Sequence, residues 1–80
     1  MSEYTLHPGE YLRHELKVRG WSQVEFAEII GRPVGMVNAI INGRRGITVR
    51  TAKEFEAALG ASAETWIRVQ IAYELHGVRK

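Results

Sequence analysis

An all-α domain of five short helices is the fold this sequence predicts, and three observations predict it. Glycines at positions 20, 31, 43, 46, 60 and 77 punctuate the chain, and the main segments between them run about ten to fifteen residues, the usual length of globular helices. No segment sustains the alternation of apolar and polar residues that a half-buried strand requires. Near the breaks stand residues suited to helix starts, Pro8, Ser22, Pro33, Thr48 and Ser62, each followed by an apolar stripe of helical period.

The first helix is expected from Pro8 to about Val18, with Leu12 and Leu16 on one face and Tyr11 and Val18 beside them; His7 and Glu10 at its start read as capping chemistry. The second opens at Ser22, where Ser22 and Glu25 have the S-x-x-E spacing that satisfies two orphan backbone donors reciprocally. Phe26, Ala27 and Ile30 form its inner stripe, and Gly31 takes the left-handed cap. The third runs from Pro33 to the Asn42-Gly43 pair and turns Val37, Ile40 and Ile41 inward. The fourth follows Thr48, buries Ala52, Phe55 and Leu59, and stops at Gly60. The fifth is capped by Ser62 and extends through Leu75. Short connections between such helices describe a compact bundle.

Eighty residues allow one domain, residues 1–80 with a core of about 7–75. The 45% apolar and 25% charged fractions are those of an ordinary globular domain. There is no cysteine, hence no disulfide and no thiolate metal site. No apolar run approaches the ~20 residues that span a bilayer, and the start of the chain lacks the features of a signal peptide; a cytoplasmic location is expected. Catalysis is not expected. The chain has no Asp, its serines at 22 and 62 are spoken for as helix caps, and its glutamates lie on helix surfaces. His7, His14 and His76 are scattered without metal-ligand spacing, so neither a metal, a cofactor, a small-molecule substrate nor a membrane is called for.

Charge placement carries more than the net charge of +2. From Gly31 to Lys53 there are five cations, Arg32, Arg44, Arg45, Arg50 and Lys53, and no acid, although the chain elsewhere holds nine glutamates. This span begins at the tight link, Gly31 and Arg32, between the second and third helices. A link that short forces a sharp angle, as in a helix-turn-helix unit, whose second member protrudes and enters a DNA major groove. Phosphates approaching it meet those five cations, with Gln23 and Asn42 as further phosphate contacts.

The stretch PGEYLRHELKVRGWSQVEFAEIIGRPVGMVNAIINGRRGIT, followed by ALGASAETWIRVQIAYEL, resembles the HigA-type antitoxins within the lambda-repressor-like helix-turn-helix class. Its most specific pieces are the PGEYL opening, the IINGRRGIT segment and the W-x-x-x-Q-x-x-Y spacing of Trp66, Gln70 and Tyr73. The resemblance implies a dimeric repressor that binds its own double-stranded DNA operator and neutralises a RelE-like toxin. It places base contacts on Val34, Gly35, Asn38 and Ala39. The commoner family pattern has Arg, Gln or Ser at several of these positions. Here only Asn38 has a side chain able to pair with a base edge, such as that of adenine, while Val34 and Met36 are suited to thymine methyls.

In the last helix, Trp66, Val69 and Tyr73 form one apolar stripe, and Ile67, Ile71 and Leu75 form another turned away from it. One stripe serves the core; the second is expected to meet its mate in a twofold homodimer. Two other readings stay open at this point. One is a phage-type Cro or repressor protein without a toxin. The other is a protein-interaction module that has lost DNA binding, a reading favoured by the apolar Val34, Gly35 and Ala39.

Overall fold

The computed structural model describes residues 6–77; residues 1–5 and 78–80 of the expected domain lie outside the described residues. Five α-helices follow one another, α1 (Pro8–Arg19), α2 (Gln23–Ile30), α3 (Val34–Ile41), α4 (Val49–Leu59) and α5 (Ala63–Ala72), and a π-helical turn, Tyr73–Gly77, continues the last. No strand occurs among the described residues.

Local chemistry accounts for the helix ends. His7 caps α1, its Nδ1 accepting from the Gly9 N–H at 2.8 Å, and Pro8 fills the first turn, where its missing donor costs nothing. At α2 the reciprocal box is present: the Glu25 N–H donates to Ser22 Oγ at 3.0 Å and the Ser22 N–H to Glu25 Oε1 at 2.7 Å. Gly31 ends α2 at φ 72°, a left-handed conformation that a Cβ would strain, and the Arg32 N–H closes the cap on Ala27 O at 3.0 Å. Pro33 stands outside α3 as its N-cap, so the helix starts one residue after the expected boundary and the link between the two helices also includes Pro33. Thr48 and Ser62 cap α4 and α5 through the backbone N–H groups of Thr51 and Thr65.

The core is centred on an aromatic chain. Phe26 meets Phe55 edge-on at 5.3 Å, Phe55 meets Trp66 edge-on at 5.1 Å, and Tyr11 stacks on the far side of Trp66 at 4.5 Å. Such pairs add roughly 0.5–1.5 kcal/mol each beyond the area they bury. Leu12, Val37 and Ile40 are buried around them. Among the described residues the buried Trp66 indole N–H meets no acceptor. α1 approaches α3 so closely that a Cβ on Gly9 would lie 1.8 Å from the Ile40 carbonyl oxygen. The glycine of the PGEYL opening is thus a packing requirement.

Two expectations are corrected. Val18, read as a neighbour of the Leu12–Leu16 stripe, is 67% exposed, because two residues beyond Leu16 it lies about 200° round the helix from that buried side chain. The fifth helix does not remain an α-helix to Leu75; it ends at Ala72 and widens into the π turn.

Candidate nucleic-acid interface

α3 divides into two faces. Met36, Val37, Ile40 and Ile41 are buried, whereas Val34, Gly35 and Asn42 are exposed and Asn38 and Ala39 lie between. Met36 is therefore not available to a thymine methyl; two residues beyond Val34, it is turned into the core.

The outward face is tied together by one polar network. Asn38 Nδ2 donates to Gln23 Oε1 at 3.2 Å. Asn38 Oδ1 accepts from Asn42 Nδ2 at 3.1 Å and from Arg44 Nη2 at 3.3 Å. Arg44 is brought back onto α3 by the helix cap itself: the Gly43 N–H bonds Ile40 O at 3.1 Å and the Arg44 N–H bonds Ala39 O at 2.9 Å, the paired bonds of a Schellman ending. The start of α2, the middle of α3 and the loop after it are thereby held in fixed register around Asn38, whose amide is oriented with its donor toward α2 and its acceptor toward Arg44.

The expected cations separate into two groups. Arg44, Arg45 and Lys53 are exposed and form no ion pair among the described residues. Arg32 differs: its Nε and Nη2 grip Glu54 at 2.9 and 3.0 Å, and that bond raises its pKa further. The fork expected to face phosphate is turned onto a carboxylate. Glu54 lies just beyond the acid-free span in sequence, but α4 brings it back against the start of that span. Arg50, one helical turn before Glu54, approaches the same carboxylate at 3.7 Å while its side chain stays 80% exposed.

One residue of this surface escaped the reading of charges. Gln70, buried in α5, accepts the Ile47 N–H at 2.9 Å and donates to Glu74 Oε2 at 2.7 Å. Gly46 packs so tightly on this amide that a Cβ there would come within 2.7 Å of Gln70 Oε1. Gln70 thus clamps the segment that follows Arg44 and Arg45 to the last helix. Its signal in the sequence is a polar residue between the apolar Val69 and Ile71, within the Trp66–Gln70–Tyr73 spacing.

The two stripes of α5 are redistributed. Ile67 packs against the core, beside the buried Trp66, while Ile71 and Leu75 are 48% and 70% exposed. Val69 leaves the expected core stripe and lines an apolar groove of about 470 Å³ with Leu6, Tyr11 and Ala72. Tyr73 meets His7 edge-on at 4.6 Å. Burial lowers the His7 pKa, against a smaller raising effect of Glu10. Among the described residues no His, Cys, Asp or Glu cluster could hold a metal, and no helix is long and apolar enough to cross a membrane.

A family model described as helix-turn-helix matches residues 12–66. The chain is similar to a solved Coxiella burnetii structure described as an addiction module antidote protein of a HigA family, at 36% identity and a TM-score of 0.85, covering 90% of this chain and 79% of that one. It is also similar to Pseudomonas aeruginosa antitoxin HigA, solved with the higBA promoter, at 32% identity and a TM-score of 0.84, over 88% of this chain and 77% of that one. Among curated proteins it is 38% identical to virulence-associated protein I of Dichelobacter nodosus over 88% of this chain, and it spans 66% of that protein's length.

Proposed function

The chain belongs to the helix-turn-helix family, among the HigA-type antitoxins, and from that premise we infer that it is a DNA-binding antitoxin that represses transcription from its own operator. The observation that carries this reading is the Gln23–Asn38–Asn42–Arg44 network on the outer face of α3. A helix whose inner residues are all committed to the core presents outward an oriented amide, able to pair with an adenine edge, and unpaired arginines beside it. The Pseudomonas relative solved with promoter DNA supports the same assignment. In this reading Asn38 discriminates bases, Val34, Gly35 and Ala39 shape the contact, and Gln23, Asn42, Arg44, Arg45, Arg50 and Lys53 position the protein on phosphates. Arg32 contributes by fixing α4 against the turn.

A single reading helix covers only a few base pairs. We therefore include a twofold homodimer, with the exposed Ile71 and Leu75 at the seam and the two α3 helices about 34 Å apart, one turn of DNA. A RelE-like toxin completes the proposed assembly, which acts in the cytoplasm.

Asn38→Ala tests the reading. The wild-type protein first selects its site from a pool of random duplexes. The variant should then lose about 1–3 kcal/mol on that site and little on mixed-sequence DNA. Equal weakening on both would remove Asn38 as the reader and leave specificity to DNA shape.

A further inference from the structure

We propose that α1 supplies a second phosphate-binding ridge, Arg13 and Lys17, which engages duplex DNA beside the reading helix; the proposal rests on the DNA-binding reading and extends it to an element outside the helix-turn-helix. The described cations fall into two sets. Arg19, Arg32, Arg50 and Arg68 each lie within ion-pair distance of a carboxylate. Arg13, Lys17, Arg44, Arg45 and Lys53 have no carboxylate of the described residues within that distance, and all five are exposed. The last three are on the acid-free surface already described. The first two are far from it in sequence, yet the fold sets them at its border.

Arg13 and Lys17 are four residues apart and share one face of α1. They line a shallow hollow with Ser22, Gln23 and Ile41, and a larger groove of about 740 Å³ in which Asn42 and Gly43 form part of the other wall. Two cations thus stand against both ends of the polar network, next to Gln23 at the start of α2 and next to Asn42 at the end of α3. A cation in the last turn of a helix complements the helix dipole, which accounts for Lys17 but not for Arg13, in the middle of α1. Glu10, on the same face one turn before Arg13, also borders the groove. Its charge repels phosphate and sets the end of the ridge at Arg13.

A ridge of this kind holds the duplex without reading it. Each phosphate neutralised adds about 0.9 to the steepness of log K against log salt. The test measures binding of the full chain to a mixed-sequence duplex by fluorescence anisotropy across a potassium chloride series. R13Q/K17Q should flatten the slope by up to about two units and leave the melting temperature unchanged. R68Q, which removes an exposed but paired arginine on α5, should leave the slope as it is. R13K/K17R keeps both charges and should retain the wild-type slope. A wild-type slope of zero would remove the DNA-binding reading itself. A wild-type slope that R13Q/K17Q leaves intact, or that R68Q flattens equally, overturns the ridge alone.

Discussion

The helix-turn-helix and the C-terminal helix are built on the same core but differ in the groups that their outer surfaces hold in place. α2 and α3 pack Phe26, Val37 and Ile40 inward and present outward an oriented amide and the exposed Gly35, with Arg44 of the following loop bonded to that amide. α5 packs Trp66 inward and presents Ile71, with Leu75 on the turn beyond it. An outer face made of fixed hydrogen-bonding groups and unpaired cations suits a hydrated, charged partner such as a DNA groove. Two exposed branched aliphatics one turn apart, Ile71 and Leu75, have no such use and suit another protein surface. The clamp at Gln70 joins the two, because it holds the Gly46–Ile47 backbone to α5. The loop that carries Arg44 and Arg45 is therefore positioned by the helix proposed to make the dimer.

Cutting that clamp is the strongest way to separate the regions. Gln70→Leu leaves the buried Ile47 N–H without its acceptor, at a cost of about 1–3 kcal/mol in urea unfolding. Hydrogen exchange at the Ile47 amide should accelerate, and the salt dependence of DNA binding should weaken as the arginine loop loosens. Unchanged exchange at Ile47 would show that the loop is held without α5.

A smaller effect comes from protonation at the other side of the π turn. Burial disfavours the charged ring and holds the folded-state pKa of His7 below its ordinary value of 6.5, against a smaller raising effect of Glu10; the neutral ring accepts the Gly9 N–H. The unfolded chain then binds a proton more readily than the folded one. The contribution of His7 to stability is present above pH 6.5 and is lost as pH falls from there through the lowered folded value. His7→Asn keeps a capping acceptor without the titration. The variant should flatten this part of the stability–pH profile in thermal melts; an identical profile would assign the loss to other groups.

The smallest expected change in fold stability tests the apolar surface. Ile71→Glu, at a half-exposed position, should alter unfolding free energy by no more than about 0.5 kcal/mol while shifting sedimentation from dimer to monomer and weakening operator binding. A monomeric wild type at tens of micromolar and on DNA would leave the proposed dimer without support, as would a variant that still dimerises.

By itself the sequence determined the helices and most of their ends. The reciprocal Ser22–Glu25 box, the glycine at position 31 and the caps at Thr48 and Ser62 act over a few residues, so spacing along the chain is enough to read them. It also determined the inner face of α3, Val37, Ile40 and Ile41, though not that Met36 joins it, because a helical period fixes facing once one buried residue is known. The tertiary structure alone decided the pairings that cross between elements. Arg32 finds Glu54 at a separation of 22 residues and Ile47 finds Gln70 at 23, distances over which no local period carries information. It likewise decided that Ile67 belongs to the core's edge and Val69 to a surface groove, since α5 offers apolar residues on several faces and only its packing against α4 and α1 selects among them. Charge count marked out the cations, but whether each is free depends on which carboxylates the fold brings within ion-pair distance, and that is a property of three-dimensional packing.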